Sequence, residues 1–269
     1  FKIYYPVYLL VFLAGCLVAG RSVQWEHDRL LLYSLMTGGF ASIFWCIVSG
    51  NISILYFLLI SLVFYFVTKK RYYASSLCLG LLAIFNLFPI VFSALYVFID
   101  RLRRERIMAI SSSWIVLLST LGLSYFMLPG LFHSYIMQFL GGTSPIYEPG
   151  GITTPTAYLF LRDLASFFIG KIAPVFYILD LFFVCFILAT AYSFYRKNQN
   201  DTLRVFSFVL ISIFLLIPRL KPNYFIFILV PIYLLIIHER DAIKAIVVVI
   251  GAIVPFICVV IIDHLQHFF

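Results

Sequence analysis

The sequence predicts an all-α, polytopic transmembrane helix bundle forming one domain over residues 1–269, and three observations carry that prediction. Hydrophobic residues make up 64% of the chain and charged residues 11%. The mean hydropathy is +1.08. The apolar residues come in long unbroken runs such as Ala245–Ile262. Soluble domains hold about 45–50% apolar and about 25% charged residues, so a chain of this composition needs lipid as its solvent. Runs of about 17–25 apolar residues are the unit expected of membrane-crossing helices. A β-barrel would instead show short alternating segments.

The runs, in order, are Tyr4–Gly20, Leu30–Val48, Ile52–Thr68, Ala74–Ile99, Ile107–Leu128, Ala173–Tyr195, Leu203–Ile217, Tyr224–Ile237 and Ala245–Ile262. Helices are the only open-chain structure that satisfies the backbone in lipid. The stretch Pro129–Thr156 carries Gly141, Gly142, Pro145, Pro149, Gly150, Gly151 and Pro155 and reads as a loop. The segment Ala157–Gly170 mixes apolar residues with Arg162 and Asp163, which suits a helix lying at the interface. Together, residues 129–170 form an outer-face loop and interfacial helix within the single domain. The five cysteines, Cys16, Cys46, Cys78, Cys185 and Cys258, all fall inside apolar runs without a CxxC pair, and read as buried hydrophobes.

Charge sets the orientation. The net charge of +8 comes from basic residues in short loops between apolar runs, a pattern of membrane orientation rather than of nucleic-acid binding. Two of these loops, Lys69–Arg71 and Arg101–Arg106, flank the run Ala74–Ile99. A single crossing there would put them on opposite faces, against the positive-inside rule. Asn86 and Pro89 interrupt the middle of the run, and a proline disrupts a helix. The run is therefore read as a re-entrant pair of short helices with Asn86–Pro89 at its tip; an ordinary kinked span is the alternative. With that choice the loops Arg21–Arg29, Lys69–Arg71, Arg101–Arg106, Arg196–Arg204 and Arg240–Lys244 all face the cytoplasm and hold most of the 19 Lys and Arg. The expectation is about eight full spans plus one re-entrant broken helix, with both termini outside.

Polar residues near the membrane are the candidates for function. In Pro218-Arg219-Leu220-Lys221-Pro222-Asn223-Tyr224, two cations sit between prolines on the face where cations are scarce. An extended backbone lets both reach one phosphate through charge-assisted hydrogen bonds; the bland alternative is snorkelling to lipid headgroups. Asn86 either bonds backbone freed at the tip or reaches a substrate hydroxyl. Asn51, in Ser49-Gly50-Asn51-Ile52-Ser53, lies at an outer turn and matches a weak N-x-S sequon. Asp180 is either partnered within its helix run or wet near the outer edge. Among His133, Tyr147, Glu148, Arg162 and Asp163, Glu148 is a weak candidate for a general base and otherwise a solvated loop carboxylate. His264 and His267 are a poor pair for a metal. No HExxH, Walker loop, dinucleotide fingerprint or nucleophile elbow is present. No metal or cofactor is expected.

Several segments, taken in order, resemble glycosyltransferase family 87. They are Ser49-Gly50-Asn51-Ile52-Ser53, the basic Lys69-Lys70-Arg71, the stretch Gly80-Leu81-Leu82-Ala83-Ile84-Phe85-Asn86-Leu87-Phe88-Pro89, and the Arg101–Arg106 cluster. The stretch Ile217–Tyr224 followed by Val230-Pro231 is similar to that family's P-R-x-K-x-x-Y pattern. The likeness covers roughly Tyr4 to Ile237. It implies a C-type polytopic transferase that moves a hexose (mannose-like) or pentose from a polyprenyl-phosphate donor to a lipid or glycan acceptor on the outer face. It also implies a multi-pass protein of a bacterial or archaeal plasma membrane, surrounded by membrane lipids and without a nucleic-acid partner. Arg219, Lys221, Tyr224, Asn51 and Asn86 become the implied substrate-binding residues. The family often carries Lys where this chain has Asn86. C-type transferases place a catalytic Asp in the first outer loop. Phe1-Lys2-Ile3-Tyr4-Tyr5-Pro6 looks like the end of that loop, so the acid is expected upstream of Phe1.

Two other classes compete. A secondary transporter would suit broken helices, but no matching pair of interrupted helices appears in two halves. A surface-polysaccharide polymerase or ligase would favour an outer loop rich in Arg, and Pro129–Thr156 contains none. A noncatalytic membrane scaffold is the third reading.

Overall fold

The computed structural model of the chain describes residues 4–22, 43, 52–99, 103–139, 173–199, 201–216 and 226–238. The regular elements among them are helical: α1 (Tyr4–Ser22), α2 (Ile54–Thr68), α3 (Tyr72–Phe85), a 3-10 helix (Phe88–Phe98), α4 (Arg103–Met127), α5 (Pro129–Phe139), α6 (Ala173–Lys197), α7 (Thr202–Leu215) and α8 (Ile226–His238). The chain is all-α, as its composition requires. Among the described residues, α1 and α4 are long and apolar enough to cross a membrane. Two expected runs, Leu30–Val48 and Ala245–Ile262, lie outside the described residues except for the helical Ile43, as does Ala157–Gly170.

The run from Ala74 to Ile99 is a hairpin. Helix α3 ends at Asn86, whose backbone is extended at φ −155° and ψ 117°. The Asn86 side-chain oxygen accepts from the Phe88 N–H at 3.2 Å. Pro89 falls in the first turn of the 3-10 helix, where its missing N–H leaves no bond broken. The two limbs then lie side by side. Ser75 Oγ and Tyr96 OH are 2.7 Å apart. One continuous α-helix would separate these positions by about 31 Å. The returning limb holds 11 residues against 14 in α3. At about 2.0 Å per residue for a 3-10 helix and about 1.5 Å for an α-helix, both limbs measure about 21–22 Å. Three-fold geometry also explains the burial pattern. Val91, Ala94 and Val97 are exposed, while Phe92, Ser93, Leu95 and Tyr96 between them are buried.

Helix α4 fixes the direction of each limb. Ser76 Oγ donates to the Ala109 carbonyl, and Ser112 Oγ donates to Ser76 Oγ at 2.9 Å. Further along, Ala83 and Ile90 cluster with Leu117, with Leu87 and Leu121 against them. Numbers rise together, so α3 and α4 run parallel. Trp114 Nε1 donates to Ser93 Oγ at 3.2 Å, so the 3-10 limb runs the other way. Small side chains make the close approach possible, as in membrane bundles generally. A Cβ on Gly80 would lie 2.8 Å from both the Ser113 carbonyl oxygen and Val116 Cβ.

The base of the hairpin is latched. Ser75 Oγ donates to the Val63 carbonyl of α2 at 3.0 Å. A serine has one hydroxyl hydrogen, so the Tyr96 O–H donates to Ser75. Both groups are buried. This chain of two bonds ties α2, α3 and the 3-10 helix at one level.

The hairpin brings the basic segments to one end. Tyr73 OH, in the first turn of α3, lies 3.4 Å from Met108 Sδ, in the second turn of α4. Lys70, Arg71 and Glu105 line a common cleft. Phe98, at the foot of the returning limb, meets Tyr195 edge-on at 5.1 Å. Arg204 sits over Phe194 at 5.5 Å, and Asp201 caps α7 by accepting from the Arg204 N–H at 3.0 Å. Lys69–Arg71, Arg103–Arg106, Arg196, Lys197 and Arg204 therefore share this end. Leu121 is level with the tip, and α4 runs on for six residues, about 9 Å. The tip therefore stops short of the far end of α4.

Two boundaries differ from the sequence reading. Arg103–Arg106 form the first turn of α4 rather than a loop. Pro129–Phe139 is helical, which corrects the loop expected from Pro129 onward. Pro129 is the first residue of that helix, where proline is favoured, and the glycines and prolines that signalled a loop begin only at Gly141.

Replacing Gly80 with Val is expected to lower the thermal midpoint in detergent through an overpacking penalty of about 1–3 kcal/mol. Gly122, which has open space around its Cβ position, is the control: Gly122→Ala leaves the midpoint unchanged or raises it. Equal effects at the two glycines would refute the close approach. Ser75→Ala, which strands the buried Tyr96 hydroxyl, is expected to cost about 1–3 kcal/mol in the same assay. Tyr96→Phe is expected to cost less, because Ser75 keeps its bond to Val63.

Candidate functional site

The end of the bundle opposite the basic segments gathers the hairpin tip and the termini of three other helices. Tyr56, near the start of α2, donates its hydroxyl to the Phe85 carbonyl at 3.4 Å, just before the chain reverses. The Ile52–Ser53 turn that leads into α2 is therefore at the tip end. Helix α7 starts at the basic end, where Phe206 packs on Tyr96 at 5.4 Å and on Phe64 at 6.3 Å. It ends at Leu216, toward the tip. Helix α8 starts there as well. Phe227 stacks on Tyr56 at 5.3 Å and lies 6.2 Å from Phe88 and 6.0 Å from Phe92. Phe227 is fully buried, so this aromatic cluster holds the first turn of α8 against the hairpin tip.

Asn86 is the one candidate binding residue whose side chain the described residues include. It sits half-buried at the reversal. Its oxygen is taken by the Phe88 N–H, which is the backbone role weighed from the sequence. Its amide nitrogen has no hydrogen-bond partner among the described residues. The oxygen thus holds the turn, and among the described residues the NH₂ group keeps its two donors. The tip itself, Asn86-Leu87-Phe88-Pro89, carries no cation.

Arg219, Lys221, Tyr224, Asn51 and Glu148 lie outside the described residues, as do Tyr147, Arg162 and Asp163. The described chain on either side of 217–225, ending at Leu216 and resuming at Ile226, stands at the tip end. His133 is exposed on α5. Asp180 falls on α6, with its side chain outside the described set. Among the described residues no three His, Cys, Asp or Glu side chains come together as metal ligands.

The sequence did not single out Tyr56 or Phe227. With 18 Tyr and 30 Phe in the chain, an aromatic in an apolar run carries no signal of its own. The available hint was proximity in sequence: Phe227 follows Tyr224 by three positions.

No curated protein and no solved structure matches the chain. The family model of glycosyltransferase family 87 matches residues 3–218, a range that contains the whole hairpin and both basic segments beside it and stops one residue before Arg219. The chain therefore belongs to glycosyltransferase family 87, and is a membrane glycosyltransferase acting with a lipid-linked donor and an acceptor.

Proposed function

We infer that the protein moves a hexose, mannose-like, or a pentose from a polyprenyl-phosphate donor to a lipid or glycan acceptor on the outer face of a bacterial or archaeal plasma membrane, which it crosses several times. The observation that carries this reading is the separation of the two ends. The hairpin sends the described basic segments beside it to one end, the cytoplasmic one by the positive-inside rule. The tip, the start of α2 and the start of α8 are left at the other, where the family's implied binding segments leave and rejoin the bundle.

The chemistry at that end is a displacement at the anomeric carbon. A carboxylate takes the proton of the acceptor hydroxyl; Glu148 is the candidate base within this chain. The acceptor oxygen bonds to the anomeric carbon as the bond from that carbon to the phosphate oxygen breaks. The lipid phosphate leaves with the electron pair, and nearby cations stabilise the charge that develops on it. Arg219 and Lys221 suit that role, since each supplies charge-assisted donors and their spacing of two brings both to one anion along an extended backbone. The Asn86 NH₂ group suits a sugar hydroxyl, and Tyr224 and Asn51 belong to segments that border the same end.

Arg219→Ala with Lys221→Ala is expected to weaken donor binding on the order of 100-fold, since charged hydrogen bonds contribute about 1.5–3 kcal/mol each and about 1.4 kcal/mol is tenfold. Unchanged affinity for a polyprenyl-phosphate sugar would refute the assignment. Asn86→Ser keeps an acceptor for the Phe88 N–H but withdraws the NH₂ donor. It is expected to hold the thermal midpoint while transfer falls about tenfold, and Asn86→Ala is expected to lower both. Full transfer activity in Asn86→Ser would leave Asn86 with the turn alone.

A further inference from the structure

We propose that the basic end holds one anionic phospholipid, with its phosphate in the cleft between the 70–74 segment and the first turn of α4 and an acyl chain along α3. The cleft has a volume of about 400 Å³ and is lined by Lys70, Arg71, Tyr72, Tyr73, Ala74 and Glu105. That volume lies within the range of about 300–1,000 Å³ typical of ligand sites. Lys70 and Arg71 give the lining a positive balance over Glu105, and Arg103, Arg104 and Arg106 in the first turn of α4 add to it. Lys70 adopts a left-handed backbone, φ 55°, in the turn that presents this pair.

The backbone agrees with the side chains. Helix α3 begins at Tyr72 with Arg71 in the capping position, no side-chain cap and no acid in its first turn. The first N–H groups of a helix lack partners within it, and arginine has no acceptor to offer them. Tyr73 and Ala74, which belong to that first turn, line the cleft beside Lys70 and Arg71. A cation at a helix start also opposes the helix dipole, an unfavourable arrangement that an anion relieves.

The surface leading away from the cleft distinguishes a lipid from a free phosphate. Tyr73, Leu77, Leu81 and Phe85 succeed one another at every fourth position of α3 and are 43–46% exposed. This strip starts at the cleft wall and runs for 12 residues, about 18 Å. Half of a hydrocarbon core of about 30 Å is close to that length. Head and tail chemistry are thus continuous on one helix. The site stands at the end opposite the hairpin tip, so it is separate from the proposed donor site and does not depend on the transferase reading. Its occupant ties the foot of the hairpin to the first turn of α4.

The test is native mass spectrometry of the full chain released from phosphatidylcholine nanodiscs containing phosphatidylglycerol. The wild type is expected to retain one phosphatidylglycerol. Lys70→Gln with Arg71→Gln is expected to reduce its retention at least tenfold, and Arg196→Gln with Lys197→Gln, at the same end but away from the cleft, to leave it unchanged. The thermal midpoint in pure phosphatidylcholine is expected to be equal in all three, which separates loss of a lipid from loss of fold. Unchanged retention in the cleft variant, or equal loss in both variants, would overturn the proposal. Displacement of the lipid by millimolar sn-glycerol 1-phosphate would also overturn it, because the acyl strip would then contribute nothing.

Discussion

A polypeptide that reverses direction inside an apolar layer has no water to satisfy its backbone, so the protein must supply every partner at the turn. At the Asn86 reversal several of these partners are supplied locally. The Asn86 side-chain oxygen accepts from the Phe88 N–H, Tyr56 donates to the Phe85 carbonyl, and Pro89 has no N–H to satisfy. The remainder of the hairpin depends on this turn. Once it is made, 11 residues wound as a 3-10 helix return the chain to the level from which 14 α-helical residues carried it. Runs of 3-10 helix longer than three or four residues are uncommon. Here the tighter winding is what lets the shorter limb match the longer one.

The same reversal sorts charge. Because α3 and α4 run parallel with a returning limb between them, Lys69–Arg71 and Arg103–Arg106 begin neighbouring helices at one end. Serine and glycine at the contact allow the two helices to approach until side chain meets backbone, with Gly80 against the Ser113 carbonyl. The opposite end is left to the tip, to the cluster of Tyr56, Phe88, Phe92 and Phe227, and to the described chain on either side of 217–225. Packing at the serines, electrostatics at the loops and the proposed chemistry at the tip are therefore consequences of one fold choice.

The hairpin was legible in the sequence because two independent signals agreed: a charge conflict across Ala74–Ile99 and a helix-breaking Asn86–Pro89 in its middle. What was not legible was how the limb returns. The three-residue burial rhythm of Val91, Ala94 and Val97 differs little from a helical one over so short a run. The Ser75–Tyr96 latch was hidden as well, since serines and tyrosines are common in apolar runs and only the fold shows which pair meets. Pro129–Phe139 was missed because its opening Pro-Gly was grouped with the glycines and prolines that follow it. At the site, two roles for Asn86 were readable from its place before Pro89, and its oxygen performs the backbone one. Arg219 and Lys221 stood out by charge and proline spacing, a signal that needs no packing to be seen, and Tyr224 by the family resemblance; Phe227, three positions on, needed the packing.

The hairpin requires Lys69–Arg71 and Arg103–Arg106 to share one face of the membrane. The direct measurement is thiol labelling in a background with all five native cysteines replaced, using Lys69→Cys and Arg103→Cys singly in sealed vesicles of each orientation with a membrane-impermeant reagent. Labelling of both positions from the cytoplasmic face is the predicted result. Labelling from opposite faces would make Ala74–Ile99 a full crossing and contradict the hairpin, and with it the placement of the candidate site.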